Sequence, residues 1–208
     1  MKIILASQSP RRKALLNMMG LKFEVIPSKF EEYFDDTRSV DVVVKELGLG
    51  KALDVAKNYP DDIVIGSDLI VVIDGKQIGK PESEDEAKQM LRNISGRTHQ
   101  LICSVAVVCL NENYQNVETE TAEVTIDNLP EDLIDEYVAT GTTYDKAGGY
   151  AIQHPLLRPY VTKIEGRKDT IIGMPTNLVA EFLSDFNIHA TEINLESIDI
   201  KTKKVFYD

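Results

Sequence analysis

The chain has 208 residues and a formal net charge of −11, because 34 aspartate and glutamate residues outnumber 23 lysine and arginine residues. Nucleic-acid binding depends on neutralising many phosphates, so this acidic balance argues against an extended nucleic-acid surface. Cys103 and Cys109 are too few for a disulfide framework and lack metal-ligand spacing, so both are expected to be reduced. No apolar stretch has the length of a signal peptide or a membrane span, and a cytoplasmic protein is expected.

The first candidate site is a turn between a short apolar strand at residues 3–6 and a helix. Ser9 suits the N-cap of this helix, and Pro10 suits its first position. The first helical turn then carries three consecutive cations, although the helix dipole favours acidic side chains there. These cations are Arg11, Arg12 and Lys13. Free N–H groups and guanidinium groups at such a turn can bind phosphates, and the alternative is that the cations only face solvent.

Alternating apolar and charged residues predict a half-exposed strand at 21–26, and an acidic loop of a usually solvated kind follows at 31–36. A helix is expected over 40–57. Gly48 and Gly50 lie inside it, and each costs about 1 kcal/mol relative to alanine in a helix interior. That end of the helix is therefore expected to be frayed or bent.

Residues 63–72 form an apolar run on both sides of Asp68, which predicts a strand that is buried on both faces. A carboxylate in such a run is costly unless it is paired or binds a metal, so Asp68 is a candidate functional residue. The alternative is that Asp68 ends a strand and caps a turn. Asp74 and Gly75 predict a hairpin turn, which would bring Lys80 back to the end at which Asp68 lies.

Further elements are predicted after the hairpin. They are a helix opened by a capping box at 83–86, strands at 100–108 and 117–126, a helix over 130–138 and a last helix from 175 to about 186. His99 is interpreted as a structural hydrogen-bonding residue rather than a catalyst. Residues 193–205 could form an extra strand or hairpin. The alternation of strands and helices predicts an α/β fold with a mixed sheet, in one domain over 1–208.

Several motifs in this order resemble the Maf family of nucleoside triphosphate pyrophosphatases. They are S-Q-S-P-R-R at 7–12, L-G-L-G-K-A at 47–52, G-K-P at 79–81, S-G-R-T-H at 95–99, D-K-A-G-G-Y-A-I-Q at 145–153 and G-M-P at 173–175. The second motif departs from the family pattern, which has alanine where this chain has Gly48. In the resemblance, the G-M-P motif ends a strand and starts the last helix. The resemblance extends from Ile3 to about residue 186, and 187–208 is an extension without an assigned function.

The resemblance implies an elongated fold of two lobes with a central cleft, shared with inosine triphosphate pyrophosphatases. It implies attack of water at the α-phosphorus, which gives a nucleoside monophosphate and pyrophosphate, assisted by Mg²⁺ or Mn²⁺. Asp68 is the implied catalytic residue, and Glu32 and Asp68 are the implied metal ligands. The implied substrate-binding residues are Ser7, Ser9, Arg11, Arg12, Lys51, Lys80, Lys146 and Gln153.

Base preference rests on three positions of the family pattern, which here hold Arg11, Leu69 and Gln153. Members that hydrolyse dTTP and UTP carry arginine, threonine and glutamine there, whereas members that favour 7-methyl-GTP carry an aromatic residue first and glutamate third. The resemblance therefore implies dTTP and UTP. Leu69 cannot make the hydrogen bond of a threonine, so looser discrimination is expected, extending to CTP or modified pyrimidine nucleotides.

An alternative from another functional class is a non-catalytic nucleotide-binding regulator of cell division and septum formation. It would need the same phosphate pocket but would have no use for Asp68. The expected partner is a nucleoside triphosphate; no nucleic-acid or membrane partner is expected, and a homodimer is left open.

Overall fold

A mixed sheet of seven strands organises the computed structural model, which describes residues 1–33 and 35–195. The strands are β1 Ile3–Leu5, β2 Phe23–Val25, β3 Ile63–Ile73, β4 Lys76–Ile78, β5 Thr98–Cys109, β6 Tyr114–Ile126 and β7 Val161–Glu165. The helices are α1 Pro10–Met18, α2 Val40–Ala56, α3 Glu84–Ile94, α4 Glu131–Ala139, α5 Lys168–Ile172 and α6 Thr176–Ser184. The predicted α/β fold with a mixed sheet is thus confirmed.

The strand order is β2-β1-β3-β5-β6-β7, and β4 pairs with β3 off this path. Strand β1 runs parallel to β2 and β3, whereas the remaining pairs are antiparallel. The predicted hairpin turn is present between β3 and β4, where Asp74 and Gly75 have φ angles of 52° and 75°. The predicted extra strand or hairpin over 193–205 lies, from residue 196 onward, outside the described residues.

Strand β3 is continuous through Asp68, so the alternative that Asp68 ends a strand and caps a turn is wrong. All eleven residues of β3 except Leu69 are buried. This long strand lies between β1 and β5, where backbone hydrogen bonds on both edges hold it. The carboxylate of Asp68 therefore projects from a central and well-fixed part of the sheet.

Helix α2 runs without interruption from Val40 to Ala56, so the expected fraying or bending at its glycines is wrong. Glycines instead allow other segments to pack closely against this helix. A Cβ atom at Gly50 of α2 would lie 2.5–2.7 Å from ring atoms of Phe30. Strand β3 also has a glycine at the contact, since a Cβ atom at its Gly66 would lie 2.8 Å from the Ala52 nitrogen of α2. The packing of α2 against β3 and the Phe30 loop offsets the cost of the glycines.

Two elements near the C-terminus were not predicted, namely β7 and α5. Both are five residues long, so their periodicity is too short to read from the sequence. The expectation that G-M-P ends a strand is also wrong. It follows α5, whose C-cap Gly173 has a left-handed φ of 119°, and it leads into the last helix, α6.

Separate clusters of buried apolar side chains form the core. One cluster joins β1, α1 and α6 through side chains such as Leu5, Leu16 and Phe182, and another joins α3, α4 and the far half of β3. Cys103 and Cys109 are buried and free, as predicted. Among residues 1–33 and 35–195, no helix combines the length and apolar character needed to cross a bilayer.

Candidate active site

A cleft of about 470 Å³ collects most of the predicted site residues. Those that line it are Ser7, Ser9, Arg11, Arg12, Glu32, Lys51, Asp68, Leu69 and Lys80. The other two, Lys146 and Gln153, border a smaller neighbouring cavity of about 40 Å³. Arg11 and Leu69 line both cavities, so the two spaces are adjacent.

A chain of charged groups forms one end of the cleft. The Lys51 ammonium group donates to Asp68 Oδ1 and to Glu32 Oε1, at 2.7 Å in each case, and Lys80 Nζ lies 2.8 Å from Glu32 Oε2. Lys51 and Asp68 are each only 8% exposed. The buried Asp68 carboxylate is therefore paired, as the cost of an isolated buried charge requires.

The environment of Glu32 keeps its carboxylate ionised. Burial by itself raises the pKa of Glu32, but the charge of Lys51 and hydrogen bonds from Lys51 and Lys80 outweigh it and lower the pKa to about 2. Two cations predicted to bind phosphate are thus held by a carboxylate of the chain. Because an ammonium group has three donors, Lys51 and Lys80 can also donate to an anionic ligand at this end of the cleft.

The N-terminal turn forms a second wall of the cleft. Arg12 Nε donates to the Gly173 carbonyl at 2.8 Å and its Nη1 donates to Ser7 Oγ at 3.1 Å, so this side chain folds back onto the protein. Ser67 Oγ donates to the same carbonyl at 3.0 Å. The alternative that the cations of the turn only face solvent is wrong for Arg12, whereas Lys13 is exposed.

Ser9 occupies the N-cap position of α1, but its side chain makes no capping hydrogen bond. The predicted N-cap position of Ser9 is thus confirmed, and Pro10 is the first residue of α1. The Ser9 backbone N–H instead donates to Ser7 Oγ at 3.2 Å. Ser7 Oγ thus joins the backbone of the turn to the Arg12 guanidinium group and fixes the shape of the cleft wall.

The opposite end of the cleft is built from residues 142–147 and the start of α1. Arg11 Nη1 lies 3.7 Å from Asp145 Oδ2, and Lys146 donates to the Asp145 carboxylate and to the Thr142 carbonyl. Lys146 is buried, and burial lowers its pKa while Asp145 counteracts the effect. Asp145 pairs with two cations here, as Glu32 does at the other end.

The segment that carries Gln153 is fixed to the core by aromatic and imidazole side chains. His99 Nε2 hydrogen-bonds the Tyr150 hydroxyl, and the two rings meet edge to face with centroids 5.2 Å apart. The Tyr137 hydroxyl accepts a hydrogen bond from the Ala151 N–H at 3.1 Å. His99 therefore has a structural contact, as interpreted from the sequence, and it supports the wall of the smaller cavity.

Sequence reasoning missed several residues of the site. Phe30, Tyr144 and Asp145 line the cleft. Ser104 of β5 is the register partner of Asp68 on the neighbouring strand β3. Ser104 carried a usable signal, because a hydroxyl inside an apolar strand needs a hydrogen-bond partner. Tyr144 carried none, since a single aromatic residue in a loop has no pattern.

Two carboxylates of the cleft, those of Glu32 and Asp68, are the candidate ligands for a divalent cation. Glu32 and Asp68 converge on one point, which the Lys51 ammonium group now occupies. Within residues 1–33 and 35–195, no group of three or more histidine, cysteine, aspartate or glutamate residues converges on a metal position. Two carboxylates suit Mg²⁺ when substrate phosphates and waters complete its shell, so the donor set fits a metal that arrives with a polyphosphate.

The fold and the cleft together define an α/β protein with a site for a polyanionic ligand, in which buried carboxylate and ammonium groups stand opposite an arginine-bearing turn. The chain belongs to the Maf-like protein family, whose model matches residues 2–186.

Named relatives are similar over almost their full length. A dTTP/UTP pyrophosphatase from Shouchella clausii is 41% identical over 186 residues, which cover 89% of this chain and 96% of the relative. A dTTP/UTP pyrophosphatase from Bacillus cereus strain AH820 is 42% identical, with coverages of 91% and 98%. The crystal structure of protein VC0702 from Vibrio cholerae matches 90% of this chain and 92% of that chain at 16% identity, but its TM-score of 0.38 is too low to support an argument.

Proposed function

We propose that this protein is a nucleoside triphosphate pyrophosphatase that hydrolyses dTTP and UTP to the nucleoside monophosphate and pyrophosphate. The observation that carries the proposal is the buried Asp68 carboxylate, hydrogen-bonded to Lys51 in the wall of a cation-lined cleft. The names of the relatives from Shouchella clausii and Bacillus cereus support the reaction and the substrates. A cytoplasmic location, without a nucleic-acid or membrane partner, belongs to the same proposal.

In this mechanism Asp68 accepts the proton of the water that attacks the α-phosphorus. Lys51 and Lys80 donate to phosphate oxygens when the nucleotide binds, and they stabilise the charge that develops on the leaving pyrophosphate. Arg11, with Lys146 beside it, faces the substrate from the other end. Because Arg12 already holds the Gly173 carbonyl, part of its hydrogen-bonding capacity maintains the cleft wall.

Glu32 and Asp68 are the residues that would hold a divalent cation, and such a cation would neutralise phosphate charge and polarise the phosphoryl group. The chain's own contribution is to bring these two carboxylates together and to keep Glu32 ionised. The low pKa of Glu32 serves this purpose, since a protonated carboxyl group is a poor ligand for Mg²⁺.

Arg11, Leu69 and Gln153 support a pyrimidine base, and all three border the smaller cavity. Gln153 offers both a donor and an acceptor to a uracil-like edge, whereas Leu69 offers only apolar contact. A lost hydrogen bond is worth about 1 kcal/mol, which loosens the selectivity without reversing it. Because of this lost hydrogen bond at Leu69, we expect hydrolysis to extend to CTP or modified pyrimidine nucleotides.

The test is pyrophosphate release from purified protein with dTTP, UTP, CTP, ATP, GTP and 7-methyl-GTP, each with Mg²⁺ and with Mn²⁺. We expect the highest kcat/KM with dTTP and UTP. A preference for 7-methyl-GTP or a purine nucleotide would contradict the base assignment. Nucleotide binding without pyrophosphate release would instead favour the non-catalytic regulator.

A further inference from the structure

Gly48 and Ser104 are packed against each other behind the Lys51–Asp68 pair. A Cβ atom added to Gly48 of α2 would overlap Ser104 Oγ and would lie 3.2 Å from Ser104 Cβ. Ser104 is fully buried in β5, directly opposite Asp68 in the β3–β5 register. The hydroxyl of Ser104 therefore fills the space that the alanine of the family motif would need at position 48.

The same hydroxyl connects the helix with the strand. Ser104 Oγ donates to the Val44 carbonyl of α2 at 2.7 Å and accepts a hydrogen bond from the Asp68 N–H at 3.2 Å. Lys51 follows Val44 by seven residues, or about two helical turns, so both face the same side of α2. A single buried atom thus connects the helix that carries Lys51 to the backbone of Asp68.

Gly48 and Ser104 each belong to a kind of residue that lowers the stability of a fold at such a position. Glycine inside a helix costs stability, and a buried hydroxyl costs stability unless it is hydrogen-bonded. Together they place a hydrogen bond at the closest approach of α2 and β3, where a Cβ atom at Gly66 would also overlap the Gly48 carbonyl. The pair therefore controls how near the helix lies to the strand.

We propose that Ser104, accommodated by Gly48, is a positioning residue that sets the separation between the Lys51 ammonium group and the Asp68 carboxylate. This inference rests on the proposed pyrophosphatase reaction. Ser104 does not touch the substrate; it acts through the Asp68 N–H and the Val44 carbonyl. Catalytic groups lose rate steeply when they are displaced by a fraction of an ångström to an ångström, so a small shift of α2 is enough to slow turnover.

The experiment compares Ser104→Ala, Gly48→Ala and the double variant in pyrophosphate release and in thermal unfolding. Ser104→Ala should lower kcat about tenfold and leave KM within about twofold, because it misplaces the base without removing a phosphate ligand. Gly48→Ala should lower kcat and the melting temperature further, since its methyl group meets Ser104. The double variant should recover toward Ser104→Ala, because the overlap is relieved.

Ser95→Ala is the matched control. The Ser95 hydroxyl accepts a hydrogen bond from the Leu129 N–H at 2.8 Å, away from the cleft, so its removal also costs a hydrogen bond to a backbone N–H. This control should lower the melting temperature without changing kcat. If Ser104→Ala also keeps the wild-type kcat, or if the double variant is no better than Gly48→Ala, the positioning role is overturned.

Crystal structures of the wild type and Ser104→Ala give a readout that does not depend on activity. The separation of Lys51 Nζ and Asp68 Oδ1, now 2.7 Å, should lengthen in the variant. An unchanged separation overturns the inference. Absence of pyrophosphate release by the wild type would overturn the proposed function, and the measured separation would still decide whether Ser104 sets the geometry.

Discussion

The two ends of the cleft carry similar charged side chains on different kinds of structural element. At one end Lys51 and Asp68 project from α2 and β3, which are the longest helix and the central strand of the described chain, and Glu32 joins them. At the other end Asp145 pairs with Arg11, in the first turn of α1, and with Lys146, in a loop. Glu32 and Asp145 each pair with two cations, but Lys51 and Asp68 project from long regular elements, whereas Asp145 and Lys146 lie in a loop.

The two ends are therefore suited to different tasks, namely holding the reacting groups and contacting the base. The backbone hydrogen bonds of β3 and the close packing of α2 hold the Lys51–Asp68 pair at 2.7 Å, as a reacting group requires. The loop that carries Gln153 depends on His99 and Tyr137 for its position, and loops of this kind accept substitutions more readily than central strands. On the proposed function, the proton acceptor Asp68 therefore lies at the rigid end, whereas Gln153, which would contact the base, lies in the adaptable loop.

The largest effect is expected from Asp68→Asn, which retains the shape of the side chain and removes its charge. Turnover should fall by about 10² to 10⁴, because the attacking water loses its proton acceptor, while nucleotide binding persists. The measurement is kcat for pyrophosphate release together with the nucleotide Kd. Asp74→Asn, in the exposed hairpin turn, is the control. Near-normal turnover in a folded Asp68→Asn protein would show that the chemistry lies elsewhere.

Lys51→Met and Lys146→Met compare the two ends of the cleft directly, because each retains the aliphatic stem of the lysine and removes its charge. Lys51→Met leaves the buried Asp68 carboxylate without its ammonium partner, so the free energy of unfolding should fall by about 4 kcal/mol. Lys146→Met should cost less than about 1 kcal/mol, because the carboxylate of Asp145 is mostly exposed. Urea unfolding measures both, and both variants should also lose turnover. Equal losses of stability would remove the distinction between a rigid end and an adaptable end.

A pH dependence of the free energy of unfolding, smaller than the effect of Lys51→Met, is expected at the loop end. Burial lowers the pKa of His99 to about 4, so between pH 6.5 and 4 the unfolded chain binds a proton that the folded chain does not. Stability should therefore fall as the pH falls through this range, by about 3 kcal/mol in total. Glu32, with a pKa of about 2, stays ionised throughout.

The pH dependence is measured as the free energy of unfolding of the wild type and of His99→Gln, which cannot take up the proton. The wild-type curve should be steeper between pH 6.5 and 4, and the two curves should run parallel above pH 7. Parallel curves over the whole range would mean that His99 is accessible to protons in the folded state.

The candidate site could be predicted from the sequence wherever chemistry and local pattern coincide. A carboxylate inside an apolar run identified Asp68, and cations at the start of a helix identified the N-terminal turn, because both violate a local preference. Motif resemblance added Lys51, Lys80, Lys146 and Gln153, and the structure brings these residues to one cleft and its neighbouring cavity.

The tertiary structure decided what the side chains contact. Gly48 and Gly50 look like weak points of a helix until β5 and Phe30 are seen against them, and local sequence holds no information about such distant partners. Arg12 looks like a free phosphate ligand until the Gly173 carbonyl, 161 residues away, is seen to accept its hydrogen bond. Composition and periodicity determine which residues are unusual for their position, whereas long-range packing determines which of them meet, because contacts between distant segments form only when the whole sheet is assembled.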